Sequence, residues 1–281
     1  MKTSSKIDNR EIEIITAHVT AKPREFLVAH PEYKLSKVAK WKITRLIKKR
    51  ESGVPLAYLL GEKEFFGLDF KVNKHTLIPR PDTELMVETI LHHLTTSPPD
   101  HTTLIDVGTG TGCIPIAILD RIRKSGLSVI RNSYAIDISN KALRIAKKNA
   151  KTHNVNIKFL HGNLLSPFLK NQKLIAYSQK LIITANLPYL TEEQFANEAS
   201  IRHEPKSALV AENKGLALYE ELLKQIQSLL STSDFKLSTY LEIDPDQAEP
   251  IIPLIKKYLP KADIQIKKDL SGLDRVVIIE A

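Results

Sequence analysis

The sequence predicts an α/β protein, a mostly parallel sheet covered by helices on both faces, preceded by a small helical domain and a β-hairpin linker. Three observations carry this. From about residue 82, short apolar runs alternate with amphipathic helical stretches, the pattern of a parallel sheet with crossover helices. A glycine-rich turn joins the first of those runs to the helix that follows. Residues 1–50 instead carry helical periodicity and most of the chain's excess lysine and arginine. The reading divides the chain into a basic helical domain at 1–60, a hairpin linker at 61–81 and an α/β domain at 82–281.

In the first domain, Leu35, Val38, Ala39, Ile43, Leu46 and Ile47 fall on one face of a 3.6-residue helix. Lysines and arginines fill the other positions, Pro23 and Pro31 punctuate the region, and Gly53 and Pro55 end the helical pattern. In the linker, Leu68, Phe70 and Val72 alternate with Asp69, Lys71 and Asn73, and Glu64-Phe65-Phe66 precedes Gly67, so a small hairpin is expected. Pro79 and Pro81 stiffen its exit. Helices are then predicted at 83–94, 113–123, 141–151, 216–230 and 247–258. Strands are predicted at 104–107, 133–136, 157–160, 181–185, 238–243, 263–267 and 275–279. The last two strands have no helix between them and should pair antiparallel at one edge.

Composition bounds the function. The 281 residues are 42% hydrophobic and 26% charged, enough to bury a core in one large or two smaller domains. No stretch approaches the ~20 apolar residues of a membrane span. Met1-Lys2-Thr3-Ser4-Ser5-Lys6 is not followed by an apolar signal core, so a cytoplasmic chain is expected. The single cysteine, Cys113, excludes an intramolecular disulfide and a multi-cysteine zinc site. Net charge is +9, and residues 1–50 hold 13 Lys and Arg against 5 Asp and Glu. That region reads either as a docking surface for an acidic partner or as a solvated helical face.

Asp106-Val107-Gly108-Thr109-Gly110-Thr111-Gly112 lies between a predicted strand and a helix. Alternate glycines let backbone turn sharply and approach a ligand closely. Asp137 ends the next strand, where a carboxylate can accept both hydroxyls of a ribose. The loop is neither the dinucleotide fingerprint, since Cys113 holds its last position, nor a phosphate-binding loop with Gly-Lys-Ser/Thr. Its spacing resembles the first motif of S-adenosylmethionine-dependent methyltransferases, so Asp106, Gly108 to Gly112 and Asp137 are expected to bind that cofactor. In that setting Asn163 either accepts from the adenine amino group or is a turn residue, and Leu164 covers the adenine.

Asn186-Leu187-Pro188-Tyr189 follows an apolar strand and should reach the same sheet edge as the glycine loop. The Asn186 side-chain carbonyl and the Leu187 backbone carbonyl can accept the two hydrogens of a planar NH₂ group, with Tyr189 packed against its plane. Amide and exocyclic amine nitrogens are poor nucleophiles because the lone pair is delocalised. Holding both hydrogens turns that lone pair toward a methyl donor and stabilises the positive charge that develops on nitrogen.

Further segments narrow the reading. Gly53-Val54-Pro55-Leu56-Ala57-Tyr58-Leu59-Leu60-Gly61 leads into Glu64-Phe65-Phe66, followed by Leu77-Ile78-Pro79-Arg80-Pro81-Asp82-Thr83-Glu84 and by Glu204-Pro205-Lys206-Ser207-Ala208-Leu209 with Gly215-Leu216. In these segments the chain resembles the HemK/PrmC family, which methylates the glutamine N5 of class I peptide-chain release factors. The resemblance covers residue 50 to the end and, more loosely, the amino-terminal part. It implies a class I, Rossmann-like methyltransferase domain, S-adenosylmethionine as cofactor, the glutamine of a Gly-Gly-Gln loop as substrate, and a release factor gripped partly by the amino-terminal domain. Its cofactor residues correspond to Gly108 to Gly112, Asp137 and the Asn163–Leu164 turn, and its substrate loop to Asn186 to Tyr189. Leu187 stands where the family usually has a proline, and the amino-terminal region reads as short for the family. Asn-Leu-Pro-Tyr also occurs in ribosomal RNA adenine dimethyltransferases. Adenine N6-methylation of RNA or DNA therefore stays an alternative, and a non-catalytic nucleic-acid- or ribosome-binding protein a second one. A monomer is expected, with no membrane partner; a nucleic-acid partner stays open but is not expected.

Other residues read more plainly. Arg80 and Glu84 either border the active site or form an ordinary surface pair. Cys113 reads as a packed core residue, Trp41 as a packing residue of the basic domain, and the adjacent His92 and His93 as a poor metal pair, so no metal site is expected.

Overall fold

In the computed structural model two of the amino-terminal helices begin at capping side chains. The structure describes residues 7–96, 101–127, 129–175, 178–232 and 235–281, so the start at 1–6 lies outside the described residues. The Asp8 carboxylate accepts from the Arg10 N–H to open α1 (Asn9–Thr20). After α2 (Arg24–Ala29), the Ser36 hydroxyl accepts from the Ala39 N–H to open α3 (Lys37–Glu51). Arg50 on α3 pairs in two-pronged fashion with Glu11 on α1, at 2.9 and 3.0 Å, beside buried Ile15 and Ile43.

The structure corrects two expectations for this region and adds to a third. Trp41 is 59% exposed, with the Arg45 guanidinium 5.5 Å from its ring, so it is not a packing residue. Val38 is 63% exposed and Leu35 precedes the helix, so the apolar stripe is narrower than its spacing predicts. Gly53 and Pro55 do follow the end of α3, but a further short helix comes after them: Pro55 opens α4 (Leu56–Leu60), which Gly61 closes in the left-handed conformation.

The hairpin forms as predicted. β1 (Glu62–Phe65) and β2 (Leu68–Lys71) pair antiparallel across Phe66 and Gly67, both at positive φ (54° and 74°), the turn whose twist suits a two-residue connection. The Glu84 carboxylate accepts from the Phe66 N–H at 2.9 Å, so Glu84 anchors this turn and does not border the site. Phe65 and Phe70 are buried against the following domain.

After α5 (Glu84–Thr96), the chain runs through β3 (Thr102–Val107), α6 (Cys113–Ser125), β4 (Ile130–Asp137), α7 (Asn140–Thr152), β5 (Lys158–His161), α8 (Ser166–Lys170), β6 (Lys180–Ala185), α9 (Glu192–Asn197), α10 (Ala217–Leu230), β7 (Lys236–Glu242), α11 (Ala248–Tyr258), β8 (Asp263–Lys268) and β9 (Asp274–Glu280). The short α8 and α9 were not predicted, because five or six residues carry too little periodicity to register. The strand order is β5-β4-β3-β6-β7-β9-β8, parallel except for the β7–β9 and β9–β8 pairs. The antiparallel edge pair is thus present, with β9 inserted beside β7 and β8 outermost.

Both sheet faces are covered, which is why the central strands read as continuous apolar runs. Leu104, Ile182 and Tyr240 meet Met86, Ile90 and Ile116 on one face. Ile105, Ile183 and Leu241 meet Leu222, Ile226 and Ile251 on the other. Full burial of each such side chain contributes about 1.5–3 kcal/mol. The strand order reverses between β3 and β6, and the Val107–Ala185 pairing brings their carboxyl ends out side by side. An open parallel sheet binds ligands at that crevice.

Candidate active site

The loop after β3 and the loop after β6 therefore emerge together. Gly108, Gly110 and Gly112 all have positive φ. At Gly108 a methyl would also stand 2.9 Å from Leu187 Cδ2, so that leucine side chain would have to give way. The loop is tied down at several points. The Thr109 N–H donates to the Ile136 carbonyl at 2.9 Å. The Gly110 N–H donates to Asp137 Oδ2 at 2.9 Å, and Asp137 Oδ1 accepts from the Ser139 N–H at 2.7 Å. Asn149 of α7 donates to the Thr111 carbonyl and exchanges hydrogen bonds with the Lys71 backbone, joining the glycine loop to the hairpin.

These residues wall a cavity of about 420 Å³ at the sheet rim. Gly108, Thr109, Gly110 and Thr111 form one side and Asp137 another, while Asn163 and Leu164 close a third. Asn186, Leu187 and Pro188 line it from β6. A second chamber of about 250 Å³ adjoins it, lined by Tyr189, Leu190, Ser200 and Leu209. The two share Leu77, Arg80, Asn186, Leu187 and Ala208.

Two expected cofactor residues do not line the larger cavity, and the expected substrate residue Tyr189 lines only the second chamber. Asp106 is fully buried beneath the loop, accepting from the Thr184 hydroxyl at 2.6 Å, and does not line the cavity. Gly112 caps the start of α6, also away from the cavity wall. Tyr189 faces the second chamber and not the first.

A strap over the site was only partly anticipated. Residues 72–83 cross from the hairpin to α5 and contribute Thr76, Leu77, Pro79, Arg80 and Thr83 to the cavity wall. The buried Glu204 pins this strap, accepting from the Ile78 N–H at 3.0 Å and from Arg80. Tyr58 pins it again, its hydroxyl donating to the Thr76 carbonyl at 2.6 Å. Arg80 thus borders the site, as one of its two readings held.

The Asn186 amide is held from behind. Its Nδ2 donates to the Thr83 hydroxyl at 3.1 Å. Beneath lies Glu242, the last residue of β7, whose Oε1 is 3.5 Å from the Tyr189 hydroxyl. The Tyr219 hydroxyl donates to the Glu242 backbone carbonyl and stands 3.5 Å from that of Leu187. Thr83, Glu242 and Tyr219 were missed in the sequence. Glu242 carried a readable signal, an acid ending an apolar strand at the same rim as Asp137.

Burial dominates the electrostatics. It pushes the Asp106 carboxyl up to about 7, with the Thr109 and Thr184 hydroxyls acting against it. It pushes Glu242 up to about 7 as well, opposed by the Thr83 hydroxyl and Arg275. Asp137 is also raised by burial, against the pull of its two backbone N–H donors. Cys113 is buried and its thiol is pushed up to about 12, so it is an inert core residue. Among the described residues no group of three His, Cys, Asp or Glu side chains could hold a metal ion, and no helix is long and apolar enough to cross a membrane.

Comparison with known proteins agrees with this geometry. The PrmC N-terminal domain family matches residues 2–61, and a methyltransferase domain family matches residues 99–234. The release factor glutamine methyltransferase of Enterococcus faecalis is 42% identical over 228 residues, covering 80% of this chain and 76% of the relative. That of Bacillus anthracis is 31% identical over 277 residues, covering 97% and 93%. That of Coxiella burnetii is 34% identical over 283 residues, covering 99% and 94%. Among solved structures, the hMettl16 catalytic domain in complex with the MAT2A 3'UTR hairpin 1 superposes with a TM-score of 0.55 at 20% identity, over 82% of this chain and 79% of that one. The N-terminal domain of human METTL16 in complex with SAH gives 0.50 at 20%, over 83% and 82%. These two share the fold, a class I methyltransferase α/β domain. On the strength of the sequence relatives, which align along most of its length, the chain belongs to the release factor glutamine methyltransferase family.

Proposed function

We propose that this chain transfers a methyl group from S-adenosylmethionine to the side-chain N5 of the glutamine in the Gly-Gly-Gln motif of class I peptide-chain release factors. The observation that carries the reading is the wall between the two chambers. Asn186 and Leu187 belong to both, so one chamber can hold the donor while the acceptor side chain enters from the other.

The larger cavity fits the cofactor. Its volume is that of a small-molecule site, which typically runs about 300–1,000 Å³. Asp137 keeps lone pairs beyond those taken by Gly110 and Ser139, enough for two ribose hydroxyls. Gly108 allows close backbone approach, and Leu164 offers an apolar cover for the base. When bound, the cofactor supplies an electrophilic methyl group on a sulfonium.

The remaining chemistry belongs to the chain. The Asn186 side-chain carbonyl and the Leu187 backbone carbonyl accept the two hydrogens of the substrate carboxamide, aim its nitrogen and stabilise the charge that grows there. Replacing the family's usual proline by Leu187 leaves that backbone carbonyl in place. Tyr189 borders the acceptor chamber. No base is needed before attack, because the product nitrogen loses its proton afterwards. The same reading assigns docking of the release factor to the helical domain at 1–60, a linker role to 61–81 and catalysis to 82–281. It sets the protein in the cytoplasm as a monomer.

Labelled methyl transfer from S-adenosylmethionine tests it, with purified release factor and ribosomal RNA as competing acceptors. Label is expected on the release factor and should vanish when its Gly-Gly-Gln glutamine is replaced. Label on RNA alone would favour an adenine N6-methyltransferase, and no label would favour a binding protein without catalysis.

A further inference from the structure

A side-chain amide is nearly symmetric in shape. Its two ends differ only in that one donates hydrogen bonds and the other accepts them. The proposed role of Asn186 needs the oxygen end toward the substrate NH₂. Were the amide reversed, its own NH₂ would meet the substrate's, donor against donor. Something behind Asn186 must therefore select one orientation.

The residue behind it is Thr83, the last position of the short 3₁₀ turn Pro81–Thr83, 2% exposed. A threonine hydroxyl is ambivalent, because it can donate one hydrogen and accept others. Alone, it would hold either end of the amide. It is not alone. Glu242 is 1% exposed, its Oε2 is buried without a hydrogen-bond partner in its present geometry, and the Thr83 hydroxyl lies beside its carboxyl group. Where Glu242 is ionised, a buried carboxylate oxygen lacking a donor is costly, and the Thr83 hydroxyl beside it can supply one. Once the Thr83 proton is directed to Glu242, the hydroxyl oxygen can only accept, and it accepts from Asn186 Nδ2, as observed at 3.1 Å.

We propose that Glu242 and Thr83 form a hydrogen-bond relay that fixes the orientation of the Asn186 amide, so that both are positioning residues for methyl transfer. The inference rests on the reading of Asn186 as the acceptor of the substrate amide hydrogens. Its three members come from three separate parts of the chain: the strap, the end of β6 and the end of β7. The other titratable groups around Glu242 are Arg275 on β9, Asp82 on the strap, the hydroxyls of Tyr189 and Tyr219, and the Cys113 thiol. None of these reaches Asn186 in the observed hydrogen bonding.

The test uses the full chain with purified release factor as methyl acceptor. Thr83→Val keeps the shape and removes the hydroxyl. It should lower kcat by roughly 10-fold or more while leaving the affinity for S-adenosylhomocysteine within about 3-fold. Thr83→Ser restores the hydroxyl and should recover most of the rate. Glu242→Gln should lower kcat similarly, and the double variant Thr83→Val with Glu242→Gln should be little worse than either alone, because the two act through one relay. A wild-type kcat for Thr83→Val, failure of Thr83→Ser to recover the rate, or fully multiplicative losses in the double variant would each overturn the relay. Asn186→Ala separates the two levels: if that variant keeps its rate, the reading of the site fails, whereas loss in Asn186→Ala with no loss in Thr83→Val removes the relay alone.

Discussion

The Asp137 carboxylate grips the Gly110 backbone N–H at 2.9 Å, so the acid that ends β4 also holds the glycine loop in shape. This structural role adds to the proposed contact of Asp137 with the cofactor ribose, and one substitution removes both. Asp137→Ala should weaken binding of S-adenosylmethionine and its demethylated product by about 1–3 kcal/mol, the usual loss for charge-assisted hydrogen bonds. Calorimetric titration checks this, and an unchanged dissociation constant would remove Asp137 from the cofactor site.

Asn186→Ala should separate binding from chemistry. Its side-chain carbonyl is proposed to act on charge that develops only during transfer, so turnover should fall by roughly 100-fold or more while cofactor affinity stays within a few-fold. Steady-state rates on release factor beside the same titration measure the two effects. A large loss of cofactor affinity would mean that Asn186 chiefly binds the donor.

Gly215 supports the Asn186–Tyr189 loop from below. Its φ is +80°, and a methyl group there would stand 1.8 Å from the Tyr189 carbonyl oxygen and 2.5 Å from Gln247 Nε2. Gln247 itself donates to that carbonyl, at 3.2 Å. Gly215→Ala must therefore push the loop away or strain the backbone. A loss of at least ~2 kcal/mol of stability is expected in a denaturant titration, together with loss of turnover.

Glu242 makes a pH-dependent contribution to stability. Burial raises its carboxyl from the ordinary 4.5 to about 7. The folded chain thus retains a proton that the unfolded chain releases, and stability from this group is present below about 4.5 and lost as pH rises toward 7. Glu242→Gln has no proton to release. Between pH 5 and pH 7 the stability of the variant relative to the parent should rise by about 1.4 kcal/mol per pH unit. Urea titrations at intervals of one unit measure it, and a constant difference would mean that Glu242 is ionised in the folded chain throughout.

The order of strands and helices was legible because each carries its own periodicity or apolar run, and the two loops at the reversal of strand order were legible because Gly108 to Gly112 and Asn186 to Tyr189 are short, contiguous patterns. What escaped was written in separated residues. Thr83 and Asn186 lie 103 positions apart, and Glu204 meets Arg80 across 124. Neither pairing leaves a local pattern. Trp41 misled because a lone indole on a helix reads as core, while its neighbours there are lysines and arginines whose helix has only one fully buried face position, Ile43. Asp106 misled because a conspicuous acid beside a glycine loop suggests a ligand, whereas the all-buried pattern of β3 turns it inward.

The margins of the large sheet have a consequence for handling the protein at high concentration. A free strand edge invites a neighbouring molecule to add its own strand and start a polymer. On one margin, β8 exposes Asp263, Gln265, Lys267 and Lys268. On the other, β5 is only four residues long and ends in exposed Lys158 and His161. Charge guards the first border and brevity the second, so growth of fibrils by strand addition is opposed on both sides.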